Sequence, residues 1–207
     1  MPFSKLGLAP ALLLVLADNN YTRPYPIQQE IIPAILKNKD VLGIAPTGSG
    51  KTASYVLPIL TQLQHSTAGK NRHINVLVLV PTRELAMQVK EVFHIFNASL
   101  PQKVKTLAVF GGVSVNPQMM ALHGVNVLIA TPGRLLELVE ANAVHLSDIH
   151  TLVLDEADKM LNLGFKEEMD RIFSLLPKRR QNLLFSATLS QDVNNITQFL
   201  LRDPLVF

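Results

Sequence analysis

Six short runs of β-branched and aliphatic residues punctuate the chain: "DVLGIA" (40–45), "NVLVLVP" (75–81), "KTLAVF" (105–110), "NVLIAT" (126–131), "TLVLDE" (151–156) and "NLLFSA" (182–187). None alternates apolar with polar residues, so none suits a strand with one wet face; each reads as a strand covered on both sides. Helical spacing of apolar positions fills the intervals, over 83–96, 135–142, 166–176 and 192–201. Strand and helix in regular alternation predict an α/β fold, with a mostly parallel β-sheet and helices on both faces. The stretch "HSTAGKNRH" (65–73) reads as an exposed loop, and nothing along the chain reads as an interdomain linker, repeat or low-complexity tract. One domain over residues 1–207 is expected.

In such a sheet, ligands sit beyond the carboxyl ends of the strands. The residues least explained by packing fall there: Thr47–Thr52 after the first run, "PTREL" after the second, Gly111 and Gly112 after the third, "TPGR" (131–134) after the fourth, "DEAD" (155–158) after the fifth and "SAT" (186–188) after the sixth.

Composition narrows the class. Of 207 residues 48% are apolar and 17% charged, enough for a full core and too few charges for disorder. Nineteen basic against 16 acidic residues give a net charge of +3, which suits a polyanionic partner without requiring one. With no cysteine, disulfides, zinc–cysteine sites and thiol nucleophiles are excluded, in keeping with a reducing compartment. The six histidines (65, 73, 94, 123, 145 and 150) share no ligand spacing. The apolar start, "MPFSKLGLAPALLLVLADNN", imitates a secretory signal, yet a lone Lys5 makes a poor charged region; a helix packed on the domain is the expectation. No apolar run approaches a membrane span.

"APTGSGKT" (45–52) departs from the strict phosphate-loop pattern, since Ala45 stands in place of its first glycine. The working parts remain. Gly48 and Gly50 permit a close turn in which backbone N–H groups, with Thr47 and Ser49 alongside, face phosphate oxygens. Lys51 then reaches the β and γ phosphates, and the Thr52 hydroxyl ligates Mg2+. In "LVLDEAD" two carboxylates end a buried strand, where ionised groups need a cation or partner. Asp155 is expected to hold Mg2+ through its water shell, and Glu156 to polarise the attacking water. An acidic helix start would explain the pair alone equally well; the phosphate loop upstream favours phosphoryl transfer.

Taken in order, the phosphate loop, "PTRELA", "GG", "TPGR", "DEAD" and "SAT" resemble the amino-terminal RecA-like domain of DEAD-box RNA helicases over essentially the whole chain. "VSVNPQMMAL", "LDEADKMLNLGF" and "KRRQNLLFSAT" look most like the bacterial RhlE branch.

The resemblance implies a RecA-like P-loop NTPase fold and roles that spacing alone does not supply. "NYTRPYPIQ" falls on the family's Q motif, in a region spanning residues 1–28, with Asn20 and Tyr25 in place of the usual glycine and threonine. There Gln28 is expected to read adenine, which an amide can match as donor and acceptor at once. Phe3, seventeen positions before the motif, is expected to stack on the base, with Tyr21 also in the ATP site. Pro81, Thr82, Arg83, Gly111, Gly112, Thr131, Gly133 and Arg134 are expected to line an RNA track through sugar-phosphate contacts and 2′-hydroxyls. As bare fragments these are ordinary helix starts, with proline at the first position and threonine as cap. Ser186 and Thr188, near Asp158, are expected to couple phosphate state to RNA strain.

In this family a second RecA-like domain in cis supplies arginines to the γ-phosphate. No such motif lies within these 207 residues, so the chain is expected to be the front half of a cytoplasmic, ATP-dependent RNA helicase, nearly inactive alone. Two other readings are a non-catalytic nucleotide-binding scaffold and a transporter or DNA motor sharing the phosphate loop. Intact Lys51, Asp155 and Glu156 argue against the first, and no transporter signature glycine motif supports the second.

Overall fold

A computed structural model describes residues 1–65 and 73–207. The loop expected over 65–73 lies, but for its two end residues, outside them. A short 3-10 turn, Phe3–Lys5, leads into α1 (Pro10–Asp18) and α2 (Pro26–Leu36). There follow β1 (Val41–Ile44), α3 (Lys51–His65), β2 (Val76–Leu79), α4 (Arg83–Asn97), β3 (Thr106–Val109), α5 (Val115–Ala121), β4 (Val127–Ala130) and α6 (Pro132–Glu140). The chain continues through β5 (Thr151–Leu154), α7 (Ala157–Asn162), α8 (Lys166–Leu175), β6 (Gln181–Ser186), α9 (Gln191–Leu200) and β7 (Leu205–Val206).

The strands form one sheet in the order β3-β4-β2-β5-β6-β1-β7, and every pairing is parallel. Because successive strand side chains point to opposite faces, the sheet feeds two cores. Val41, Val76, Val78, Val127, Ile129, Val153, Leu183 and Phe185 join α1 to α4 on one face. Leu42, Leu77, Leu79, Leu128, Ala130, Leu152, Leu154 and Leu184 join α6 to α9 on the other. The unbroken apolar runs are the consequence: each strand must satisfy both layers. The amino-terminal apolar segment contributes Leu12, Val15 and Leu16 of α1 to the first core, as expected of a packed helix. Among the described residues no helix is long and apolar enough to cross a membrane.

The six strands expected from the runs all form. The seventh, Leu205–Val206, is two residues long and solvent-exposed, too short to leave a periodic signal. Helix α6 begins at Pro132, ahead of its apolar stripe, because proline's fixed φ suits the first helical position. It ends before Asn142, which takes a left-handed φ of 54°.

At the amino ends of the strands, Asp40 (8% exposed) accepts from the Asn182 backbone N–H (2.9 Å), the Asn182 amide (3.3 Å) and the Arg202 backbone N–H (2.8 Å). This carboxylate ties β6 and the approach to β7 to the start of β1.

Gly43, inside β1, is a close-approach position. A Cβ there would meet Phe185 Cδ1 at 2.8 Å and Ile31 Cδ1 at 3.2 Å. Gly43→Ala is therefore expected to lower unfolding free energy by about 1–3 kcal/mol, since the buried ring has no room to retreat. Gly133→Ala, where the added carbon meets nothing within 4 Å, is expected to stay within about 0.5 kcal/mol of the parent in the same urea titration.

Candidate nucleotide and nucleic-acid site

The loop between β1 and α3 turns on Gly48 (φ 84°) and Gly50 (φ 86°). Ser49 Oγ donates to the Pro46 carbonyl (2.7 Å), closing the turn from within. At Gly50 a side chain is excluded twice over: the φ is left-handed, and a Cβ would sit 2.6 Å from Gln28 Nε2 and 2.7 Å from Tyr25 Cδ2. The turn delivers Lys51 to the first position of α3, 8% exposed, with its Nζ buried and without a hydrogen-bond partner. A buried ammonium left unpaired is costly unless an anion completes it.

That anion has a place to bind. Tyr21, Tyr25, Gln28, Thr47, Gly48, Gly50, Lys51, Thr52, Asp155 and Glu156 all line one open cleft of about 800 Å³. Asp155 stands at the end of β5, 3% exposed, and accepts a hydrogen bond from the Tyr55 hydroxyl at 2.7 Å on Oδ2. Burial pushes its carboxyl above the usual carboxylate range, against the pull of the Tyr55 hydrogen bond and the Lys51 charge. The Tyr55 phenol is pushed well up, first by burial and then by the Asp155 charge. Glu156 lines the cleft in a left-handed conformation, φ 52° and ψ 51°, at the N-cap of α7. Such backbone is unfavourable for glutamate, and here it sits between strand and helix at the cleft wall.

Among the described residues no group of three or more His, Cys, Asp or Glu side chains could hold a metal. One buried carboxylate and the Thr52 hydroxyl do fit Mg2+, which keeps several waters and takes further oxygens from phosphate.

The Q-motif residues meet the loop directly. Gln28, 1% exposed, donates from Nε2 to the Gly50 carbonyl (3.3 Å) and accepts from the Tyr25 backbone N–H (2.9 Å). Its amide thus has one proton and one lone pair left for a ligand. Phe3 corrects the expectation of a base-stacking ring: it is 5% exposed, joins the core under α1, and does not line the cleft. Its apolar ring gains more from that core than from an open cleft wall. Tyr21, partly buried and edge-on to Phe96 (5.4 Å between centroids), lines the cleft, as does Tyr25. Asn20, Thr22, Arg23, Leu85, Gln88 and Val92 line it too. Sequence reasoning passed over the last three, which sit on α4, because their helical spacing reads as packing alone.

The remaining motifs continue along the same sheet edge. Thr82 caps α4, its hydroxyl accepting from Leu85 N–H (3.2 Å), beside the buried Pro81. Exposed Arg83 lies over the Phe110 ring at 5.1 Å. Thr131 precedes α6 with no side-chain cap bond, which leaves its hydroxyl available, and Gly111, Gly112 and Gly133 are exposed. Arg134 is a correction. Only 7% exposed, it donates to Gln118 Oε1 (2.9 Å) and the Val113 carbonyl (2.9 Å), and pairs with Glu137 at 3.4 Å. Its charge is spent on fastening α6 to α5 and the glycine loop, so it offers none to a passing strand. Thr188 donates to Asp158 Oδ2 (3.0 Å), and buried Ser186 donates to the Thr188 carbonyl (2.8 Å), joining the sixth motif to the fifth.

The sequence profile of the DEAD/DEAH box helicases matches residues 25–196. The chain is 43% identical over 205 residues to "ATP-dependent RNA helicase DeaD" of Buchnera aphidicola, an alignment covering 99% of this chain and 33% of that protein. It is 42% identical to "DEAD-box ATP-dependent RNA helicase CshA" of Streptococcus pneumoniae, over 99% of this chain and 38% of the relative. The crystal structure of a DEAD box protein from the hyperthermophile Methanococcus jannaschii superposes with a TM-score of 0.91 at 32% identity, covering 100% of this chain and 55% of its own. The chain belongs to the DEAD/DEAH box helicase family, with the RecA-like fold of its DEAD-box members. It spans about a third of the length of the curated relatives it matches.

Two stability measurements test these assignments. Glu156→Gly is expected to stabilise the nucleotide-free protein by about 1 kcal/mol in denaturant titrations by releasing the left-handed backbone, whereas Glu156→Gln, which keeps it, leaves stability unchanged. Arg134→Lys is expected to destabilise by about 2 kcal/mol, because an ammonium cannot reach both acceptors at once; an unchanged midpoint would return Arg134 to the surface role.

Proposed function

We propose that this chain is the ATP-binding motor domain of an ATP-dependent RNA helicase, coupling ATP binding and hydrolysis to local melting of RNA duplexes. One observation carries the reading: the unpartnered ammonium of Lys51, buried in a cleft beside the turn of Gly48 and Gly50 and the carboxylate of Asp155. The loop's backbone N–H groups and Lys51 hold the phosphates. Gln28 and Tyr21 hold the adenine, with Gln28 giving its remaining donor and acceptor to the base edge. Thr52 and Asp155 position Mg2+, which when bound neutralises charge developing on the transferred phosphoryl group. Glu156 orients the attacking water and draws its proton.

Thr82, Thr131 and the amino ends of α4 and α6 offer donors to the sugar-phosphate backbone of an RNA strand, holding it without reading its sequence. The Thr188–Asp158 and Ser186–Thr188 hydrogen bonds join "SAT" to the acidic motif on the nucleotide side of the sheet, and through this pair phosphate state is passed on to strain in the RNA. A second RecA-like domain in cis completes both sites, its arginines worth about 10³ to 10⁵ in hydrolysis rate. The cytoplasm is the proposed location, in keeping with the lack of cysteine. Placement beside the bacterial RhlE branch rests on "VSVNPQMMAL", "LDEADKMLNLGF" and "KRRQNLLFSAT" alone; the relatives named above are DeaD and CshA.

Steady-state ATPase assays with and without structured RNA test the proposal, run on residues 1–207 and on a chain joined to a second RecA-like domain. RNA-stimulated hydrolysis is expected only in the joined chain, to vanish with Glu156→Gln, and to fail when deoxy strands replace RNA. Nucleotide binding with no hydrolysis in either form would instead make the domain a scaffold.

A further inference from the structure

Tyr55 has no part in the function as proposed, yet among the described residues it makes the one side-chain hydrogen bond to Asp155, at 2.7 Å. Its ring is fully buried and lies tilted against Phe185 at 5.2 Å, so the core of the domain fixes where the hydroxyl can be. A phenylalanine would fill the same space without burying a polar group, an arrangement that is unfavourable unless the hydroxyl finds a partner. The partner is the carboxylate of β5, reached from α3 across 100 residues of sequence.

The helix adds a second connection. Tyr55 lies four residues after Lys51 and three after Thr52, which places all three on neighbouring turns of one helix face. The phenol thus reaches from the helix that carries Thr52 to Asp155 at the end of β5, the other residue assigned to Mg2+.

We infer that Tyr55 is a positioning residue: its hydroxyl locks the Asp155 carboxylate to the helix that carries Lys51 and Thr52, so that the two halves of the Mg2+ site keep one geometry before nucleotide arrives. This rests on the reading of the cleft as an ATP–Mg2+ site. Hydrogen bonds to ligating carboxylates are worth about 10–100-fold in metal affinity elsewhere. A carboxylate free to rotate must be ordered by the cation itself, which weakens its hold.

The test is a titration of Mg2+ at fixed concentration of a fluorescent ADP, followed by nucleotide binding, in the parent protein and in Tyr55→Phe. The variant is expected to need about tenfold more Mg2+ for half-maximal binding, while affinity in excess EDTA is unchanged. Tyr55→Phe on an Asp155→Asn background should shift the Mg2+ midpoint no further, because the side chain it positions no longer carries the charge. A merely structural role for Tyr55 predicts an equal loss with and without Mg2+, and that result, or an unmoved midpoint, overturns the inference while leaving the nucleotide reading intact. A parent protein whose nucleotide affinity ignores Mg2+ overturns both. If Tyr55→Phe does not fold, the Tyr55 13Cζ resonance of the parent decides: a shift with Mg2+–ADP and none with ADP alone upholds the inference, and identical spectra overturn it.

Discussion

A parallel sheet sends every strand out through the same edge, and this constraint arranges all the chemistry of the domain. Backbone hydrogen bonds fix the direction of the seven strands, the helices return the chain to the far edge, and all six motif-bearing connections leave on one side. Strand order then sorts them. β5, β6 and β1 are consecutive neighbours and carry the acidic motif, "SAT" and the phosphate loop; β3, β4 and β2 carry the glycine pair, "TPGR" and "PTREL". The crossover from β1 to β2 skips two strands to enter the track half, and the crossover from β4 to β5 skips one to return to the nucleotide half. Thr188, bonded to Asp158, ties two motifs within the nucleotide half.

The nucleotide half holds unresolved charge. Lys51 is buried without a partner, Asp155 is buried with one neutral donor, and Glu156 holds a backbone conformation that glutamate disfavours. Each would be more comfortable elsewhere in a protein built only for stability, and under the proposed function each would be satisfied by phosphate, metal and water. The track half has no such tension. Arg134 is consumed internally, and what this half offers a ligand are the exposed Arg83, helix starts, a free threonine hydroxyl and exposed glycine backbone. The difference fits the chemistry expected of each half: one reacts and the other only holds.

Much of this was legible before any coordinates. The apolar runs announced the two-faced sheet because each strand must feed two cores, and the polar residues at the ends of those runs marked the working edge. Strand order was not legible, since nothing in a run says which neighbour it will take. Phe3 and Arg134 misled for a common reason. A side chain's place in a motif gives its position along the backbone, whereas competition between solvent, core and internal acceptors decides where its end group lies. Phe3 found more apolar contact inside, and Arg134 found Gln118 and the Val113 carbonyl. Tyr55 was hidden in the same way, as one apolar-looking residue in a buried helix, until Asp155 appeared beside its hydroxyl.

The place of β1 has a consequence for the order in which the domain is made. Its two neighbours, β6 and β7, come from the far end of the sequence, and Asp40 bonds across 142 residues to Asn182. Non-local pairings over such a span form slowly, and in the folded sheet no strand nearer in sequence lies beside β1. During synthesis, the loop of residues 45–52 therefore has α2 available to it early, through Gln28 and Tyr25, but gains the strands beside β1 only once nearly the whole domain has been made. Within this domain, the segment proposed to hold phosphate is made before the strands that flank β1, so it acquires its final surroundings only when residues 181–206 have joined the sheet.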